Sequence, residues 1–300
     1  MSLNTFVDTI NNNGTHQQGP AGPAPPPPPP PAFRDSEKRR SSLKNCDADC
    51  HVSTVEKLIQ RLVDWNSLGG SASGLVISRY VQHIPQVGPK CGIVALNMAL
   101  SIFLEKEICV EEILQVARER RYTNHGEMFS AENLRLLALN FIPHIEVQMI
   151  NSEQLRDGSF IATSIAAGDV LLVPYDSARN FSPECLRGHK AHWAIITGII
   201  IPLSETLCAQ PLQNFKSMEP GPAALAEVAN YLPSNFIHVL ALQGKSRLLS
   251  AWPLMALVAS NENLFQFDPE REASDLEYIV PERGLRQGLC GKALLFKSPN

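Results

Sequence analysis

The sequence lacks a surplus of charge and lacks any long apolar run, and each absence argues against a class of protein. Its 26 Lys and Arg residues nearly balance 30 Asp and Glu residues, which leaves a net charge of −4. Nucleic-acid-binding domains carry a strongly basic face, so we expect no nucleic acid partner. The longest apolar runs, Cys91 to Leu104 and Ala194 to Leu203, are shorter than the ~20 residues of a membrane-spanning helix, so we expect no membrane association.

A secretory signal is also missing from the start of the sequence. The first residues, MSLNTFVDTINNN, contain no basic segment followed by an apolar run. The seven cysteines are odd in number and scattered, a usage typical of a reducing compartment in which thiols are structural or catalytic. We therefore expect a cytoplasmic protein, and we expect it to be a monomer.

Proline is concentrated near the N-terminus. Nine of the 23 prolines lie between Pro20 and Pro31, and the stretch from Pro25 to Pro31 is unbroken. Because this region has few β-branched or aromatic residues to bury, residues 1–52 are predicted to form a disordered Pro-rich arm and a basic linker. An unbroken proline run adopts the polyproline II helix, which is either a stiff spacer or a ligand for an aromatic groove.

The remaining residues, 53–300, show helical patterns first and strand patterns later. Helical spacing begins after Thr54, the nearly continuous apolar run 91–104 indicates a buried helix, and two further helices are predicted at 110–119 and 130–140. Short apolar runs bounded by Gly, Pro or Asp predict strands at 170–173, 193–201, 236–242, 264–267 and 293–296. This order predicts an α+β domain with a helical half packed on an antiparallel sheet. Residues 203–235, rich in proline, are predicted to be a loop insertion.

One cysteine combines several features of a nucleophile. Cys91 is predicted at the first turn of the buried helix, where the helix dipole stabilises a thiolate. Gly92 leaves room for a substrate carbonyl, and the amide of Gln86 can turn toward an oxyanion above the thiol. The alternative is that Cys91 is a small buried apolar residue, which a Cys-Gly pair alone does not exclude.

A base for this thiol is present in a later strand. His192 lies at the mouth of the predicted strand 193–201, and a cysteine on a helix followed by a histidine on a later strand is the chain order of papain-like hydrolases. His189 lies three residues earlier, so a His-x-x-His zinc pair with Cys185 as a third ligand is the competing interpretation. Because no paired cysteine spacing accompanies it, we expect neither a metal nor another cofactor.

Several motifs occur together in a fixed order. They are QVGPKCGIVAL at 86–96, GEMFS at 126–130, LVPYD at 172–176, GHKAHWA at 188–194 and GLCG at 288–291. In this combination the sequence resembles the actin maturation protease family, which belongs with papain-like cysteine peptidases of the bacteriocin-leader-processing type. The resemblance extends from about Glu56 to the C-terminus, and the Pro-rich N-terminus has a counterpart in the family.

The resemblance implies a papain-like fold and an aminopeptidase that removes an N-acetylated Met or Cys from immature actin, exposing the acidic residues behind it. It assigns Cys91 as the nucleophile and His192 as the general base. Actin is implied as the substrate, and profilin as a partner that binds the run from Pro25 to Pro31. The alternative is a catalytically inactive papain-like adaptor that binds profilin and actin through the same arm.

The residue that orients His192 is left open. Related peptidases often have Asp or Asn on the strand after the histidine strand, but here residues 240–246 read LALQGKS, with no carboxylate. Gln243 is a neutral candidate and Asp268 a charged one, and Asp268 is preferred because a carboxylate also stabilises imidazolium.

Substrate contacts are expected beside the same motifs. Because the mature actin N-terminus is acidic, Lys90 is the first candidate for reading its charge. Further cations in neighbouring motifs are Arg187, Lys190 and Lys292. Gly92 and Trp193, each next to a candidate catalytic residue, complete the expected substrate-binding set.

Overall fold

A computed structural model describes the backbone of residues 36–71, 73–203, 214–230 and 236–299, and the side chains within those ranges from Cys50 onward. Contacts divide the chain into two units, Met1–Lys44 and Asn45–Asn300. The core described below belongs to the second unit. The proline run, and with it the predicted polyproline helix, lies outside the described residues.

Helices and strands alternate through the described chain. The helices are α1 (Ser36–Asp64), α2 (Cys91–Phe103), α3 (Val110–Glu119), α4 (Ala131–Phe141), α5 (Ser152–Arg156), α6 (Gly158–Ala167), α7 (Pro222–Val228), α8 (Leu254–Glu262), α9 (Pro269–Glu272) and α10 (Gly284–Gly288). The strands are β1 (Gly74–Ser78), β2 (Val147–Asn151), β3 (Val170–Ser177), β4 (Pro183–Glu184), β5 (Ala191–Pro202), β6 (Phe215–Met218), β7 (His238–Gln243), β8 (Ser246–Pro253) and β9 (Lys292–Phe296). The predicted α+β class is confirmed. None of the helices in the described ranges is long and apolar enough to span a membrane.

β5 is the central strand of one open sheet. It pairs antiparallel with β3 through residues 191–196, with β1 through 198–202 and with β7 through 195–200. β9 joins β3 to β2, β8 extends the sheet beyond β7, and β4 pairs with β3. β6 pairs with β1 in parallel. The sheet is therefore mixed, which corrects the prediction of a purely antiparallel one.

Helices cover both faces of this sheet. Neighbouring residues of a strand point to opposite faces, and Leu172 of β3 packs in a cluster with α2, α3 and α4, whereas Leu171 packs in a second cluster with α6, α7 and α8. The runs 170–173 and 193–201 are buried at every position, and they are apolar except at Thr197 and Gly198, because both faces of these strands are covered. The predicted arrangement, with one helical half on the sheet, is corrected in this respect.

The structure differs from the sequence-based elements at three other places. Helix α1 begins at Ser36 and so crosses the predicted boundary at residue 53. The described part of 203–235 contains β6 and α7 in addition to loop. Residues 264–267 form no strand; their apolar pattern comes instead from core packing, since Leu264 is fully buried and the ring of Phe267 lies 5.2 Å from that of Phe129.

Candidate active site

The thiol of Cys91 lies at the start of α2, as predicted. Residues 92–100 are buried behind it, since the helix runs between the sheet and its neighbours α3 and α4. A Cβ on Gly92 would lie 2.7 Å from Cβ of Met128 and 3.1 Å from Cδ1 of Trp193. Gly92 therefore permits the first turn of α2 to pack against these side chains, and its expected role beside the substrate carbonyl stays a prediction.

Opposing effects act on the Cys91 thiol. Burial raises its pKa, while the backbone N–H of Trp193 and the nearby cations Arg271 and Lys245 oppose that rise. Trp193 belongs to β5, the strand that carries His192. The residue is partly accessible, and its side chain also packs against the hydrophobic core around α2.

His192 lies on β5 directly opposite Tyr175 of β3, and the two rings meet edge to face at 5.8 Å. Its Nε2 is 3.0 Å from Oε1 of Gln243, at the end of β7. The same Oε1 accepts a hydrogen bond of 2.8 Å from the backbone N–H of Lys245. Because a backbone N–H only donates, this contact identifies the shared atom as the amide oxygen.

The shared oxygen determines the tautomer of the imidazole. Gln243 Oε1 only accepts, so Nε2 of His192 carries the hydrogen and donates it. The other ring nitrogen, Nδ1, then keeps its lone pair and can act as a base. The proton state that a general base requires thus follows from one glutamine side chain and one backbone amide.

Burial also controls the charge of this histidine. The His192 side chain is 4% exposed, and its burial lowers the pKa to about 4. The hydrogen bond to Gln243 opposes this shift, and the positive charges of Lys245 and Arg271 add to it. With the pKa of Cys91 raised and that of His192 lowered, both groups are neutral at neutral pH.

Cys91 and His192 open into one cleft with a volume of about 830 Å³. Gln86 lines the same cleft: its Nε2 donates to the carbonyl of Gly88 at 2.7 Å, while its Oε1 is buried without a partner among the described residues. The backbone N–H of Gln86 donates to the carbonyl of Gly244 at 2.9 Å. This links the candidate oxyanion residue to the turn that follows Gln243.

Asp268 has a different role from the one expected. Its carboxylate accepts a hydrogen bond of 3.1 Å from the N–H of Glu270, which caps α9, and lies 3.8 Å from Nε of Arg271. The hydrogen bond to the His192 ring is made by Gln243, the other candidate, and no hydrogen bond joins Asp268 to His192 among the described residues. The pairing of β7 with β5 explains the outcome, because it makes the strand that ends at Gln243 the neighbour of the strand that carries His192.

Lys90 also lies elsewhere than predicted. Its Nζ is 3.0 Å from Oε1 of Glu111, and it is not among the described residues that line the cleft. Lys190 does line the cleft, whereas Arg187 and Lys292 do not. Cations that the sequence reasoning missed are Arg179, Lys245 and Arg271. No motif marks them, because a turn and a short helix bring them to the cleft.

Trp193 lines the cleft but is almost wholly enclosed. Its side chain is 1% exposed, and its indole N–H donates to the carbonyl of Met128 at 2.9 Å. The contact holds the segment 126–130 against the start of α2. The side chain supports the site from behind, and its expected role in binding substrate stays a prediction.

A buried carboxylate shapes the loop before His192. Asp176 accepts hydrogen bonds from the backbone N–H groups of Leu186, Gly188 and Lys190, at 2.7 to 3.0 Å. Burial raises the pKa of Asp176, and these three hydrogen bonds oppose the rise. The loop places Lys190 at the cleft.

The competing zinc interpretation finds no ligand set in the described part of the chain. No group of three or more His, Cys, Asp or Glu side chains there is arranged to hold a metal ion. Cys185, its expected third ligand, is a free exposed thiol.

Comparison with known proteins places this site in a family. A family model described as "Actin maturation protease-like, C-terminal domain" matches residues 81–200, which contain both Cys91 and His192. No solved structure matches the chain.

Curated relatives match most of the chain. It is 35% identical to the actin maturation protease of Danio rerio over 233 residues, which are 74% of this chain and 74% of that protein. The identity is 34% to the actin maturation protease of Xenopus tropicalis over 241 residues, 76% of this chain and 75% of that protein. It is 32% to the Homo sapiens protein of the same name over 223 residues, 70% of this chain and 62% of that protein. The chain belongs to the actin maturation protease family.

Proposed function

We propose that this chain is a papain-like cysteine aminopeptidase that removes the N-acetylated N-terminal Met or Cys of immature actin and so exposes the acidic mature N-terminus. The observation that carries the proposal is the hydrogen bond from His192 to Gln243, which leaves Nδ1 of the imidazole as a base in the cleft that holds Cys91. The name shared by the relatives supports actin as the substrate.

The first half of the reaction uses the neutral pair. His192 Nδ1 takes the thiol proton as Sγ of Cys91 attacks the carbonyl carbon of the residue to be removed. The negative charge passes to the carbonyl oxygen, where the side-chain amide of Gln86 and the backbone N–H of Cys91 at the start of α2 stabilise it. The carbon–nitrogen bond then breaks, and His192 returns the proton to the departing amine of actin.

The second half releases the acyl group. A water molecule gives a proton to His192 and adds to the thioester carbon, and the carbon–sulfur bond breaks. The N-acetylated amino acid leaves, and Cys91 recovers its proton. Gln243 holds the ring in one tautomer through both halves, as a neutral partner that orients the imidazole without adding a negative charge.

The direct test is mass spectrometry of an N-acetylated actin N-terminal peptide after incubation with the full chain. We expect the wild type to remove one residue and Cys91→Ala to remove none, because the described lining of the cleft contains no second thiol. Cys185→Ala is the matched control, since that thiol is free and exposed. Processing by Cys91→Ala would contradict the proposal, and absence of turnover by the wild type would favour the inactive adaptor.

The proline run completes the proposal. Profilin bound at residues 25–31 would carry actin to the cleft of a cytoplasmic, monomeric enzyme and raise its effective concentration, which reaches the millimolar range for a short linker. Deletion of residues 20–32 should slow processing of dilute profilin-bound actin and leave cleavage of a short peptide unchanged. Equal slowing of both substrates would mean that the arm supports the folded domain instead.

A further inference from the structure

The cleft around Cys91 has an excess of positive charge. Its lining includes the cations Arg179, Lys190, Lys245 and Arg271 and the acids Glu127 and Glu184. The Glu127 carboxylate is buried and accepts hydrogen bonds from the backbone N–H groups of Asn124 and His125. Four cations and two acids therefore line the cleft among the described residues, and two of the cations have acidic neighbours outside the lining: Glu270 lies 3.9 Å from Lys190, and Asp268 lies 3.8 Å from Arg271.

Arg271 is held in place by aromatic rings. Its guanidinium carbon lies 5.4 Å from the ring centre of Phe129 and 5.8 Å from that of Tyr278, which is the geometry of cation–π contacts. Asp268 caps α9 through Oδ1, and its other oxygen, Oδ2, lies 3.8 Å from Nε of Arg271 in a loose ion pair. The terminal nitrogens of Arg271 donate no hydrogen bond to any residue that the structure describes, so the outer edge of the guanidinium group is available to a ligand.

Lys245 is the second cation at the reaction centre. It lies in the turn after Gln243, is exposed, and forms no ion pair with a described residue. The charges of Lys245 and Arg271 act on both Cys91 and His192, although they come from different elements of the fold. Two cations therefore lie near the reacting atoms without a strong carboxylate partner.

We propose that Arg271, assisted by Lys245, is the specificity-determining residue of this cleft, and that its guanidinium binds a side-chain carboxylate of the peptide beside the scissile bond. A planar guanidinium pre-oriented by two rings matches the two oxygens of a carboxylate. The inference rests on the proposed peptidase function and assigns its charge selectivity to residues other than Lys90.

The first test compares variants on two N-acetylated peptides that differ only by Asp or Asn after the scissile bond. Arg271→Met keeps most of the apolar contact with the rings but removes the charge, and we expect it to lower kcat/KM for the Asp peptide roughly tenfold and for the Asn peptide by less than about threefold. Arg271→Lys keeps the charge and should retain most of the preference for Asp. Arg61→Met, on the exposed face of α1, is the matched control and should change neither value. Equal losses on both peptides would overturn the inference and leave Arg271 a packing residue.

The second test does not require peptidase activity. Cys91 displaces iodide from both iodoacetate, which carries a carboxylate, and iodoacetamide, which is neutral. We expect Arg271→Met to lower the ratio of the iodoacetate rate to the iodoacetamide rate several-fold at low salt. High salt should reduce this difference between the variant and the wild type, because a partly exposed charge is screened. Arg61→Met should leave the ratio unchanged.

The two tests separate the two proposals. If the wild type cleaves neither peptide, the proposed function fails, and the alkylation ratio still shows whether Arg271 attracts a carboxylate to the thiol. If the wild type cleaves the peptides and the ratio does not respond to Arg271→Met, the function stands and the assignment to Arg271 is overturned.

Discussion

Cys91 and His192 belong to long buried elements, whereas Gln243, Lys245 and Arg271 belong to a strand end, a turn and a four-residue helix around the same cleft. The first pair is positioned by the sheet and by the cores on its two faces. The second group is positioned by local contacts: a backbone N–H on Gln243, a capping carboxylate on α9 and two rings beneath Arg271. On the proposed function, the two reacting side chains lie on long buried elements, whereas the side chains assigned to orientation and charge selectivity lie on short segments.

The largest effect is expected from removing the base of the rigid pair. His192→Ala should lower kcat/KM about 10³-fold or more, because general base catalysis contributes 10² to 10⁴ and the thiol pKa is already raised. The fold should persist, as circular dichroism can check. His189→Ala is the control and should have a mild effect, since His189 lies in the preceding loop. If both variants lowered kcat/KM to a similar extent, the assignment of His192 rather than His189 as the base would be contradicted.

The second-largest effect is expected from Gln243, which lies at the end of β7 and orients His192. Gln243→Ala should lower kcat on the order of 100-fold, because His192 loses the acceptor that selects its tautomer. Asp268→Asn keeps an oxygen for the α9 cap and should cost far less. A larger loss from Asp268→Asn would restore the carboxylate as the orienting residue and contradict the assignment to Gln243.

The pH dependence of kcat/KM tests whether Arg271, on its short helix, changes the pKa of His192 on β5. A base is active when unprotonated, so with the pKa of His192 lowered to about 4 the acidic limb of kcat/KM should lie near that pH. At pH 5 about 90% of the base would remain, against about 3% for a histidine with an unshifted pKa of about 6.5. Arg271→Met should move the limb upward, because the positive charge that opposes imidazolium is removed. A limb that lies near pH 6.5 in the wild type would contradict the buried, neutral state of His192.

The smallest effect is expected at Lys90. Lys90→Gln breaks an ion pair with exposed Glu111 outside the cleft, and exposed pairs contribute little. We expect kcat/KM for Asp and Asn peptides to change less than about twofold. If Lys90→Gln lowered kcat/KM for the Asp peptide alone, charge recognition would belong to Lys90, and the assignment to Arg271 would lose support.

Much of the rigid region could be predicted, because its signals are local. The apolar run after Cys91 predicts a buried helix, which the structure confirms as α2, and the α3 and α4 predictions are confirmed as well. Predictions failed where the cause was not local. The apolar residues near Leu264 contact the core from a loop, and helices cover both faces of the sheet because strand β3 is apolar on each side.

The sequence by itself determined the helix that begins at Cys91, the strand that carries His192 and the motifs shared with the family, since each is a continuous pattern of residues. Only the tertiary structure decided which side chain contacts the imidazole of His192 and which groups pair with Asp268 and Lys90. Gln243 and His192 are 51 residues apart in the chain and come into contact because β7 pairs with β5. Asp268 instead caps its own helix, and Lys90 pairs with Glu111. Such partners are selected by distance in space, and a single sequence does not record that distance.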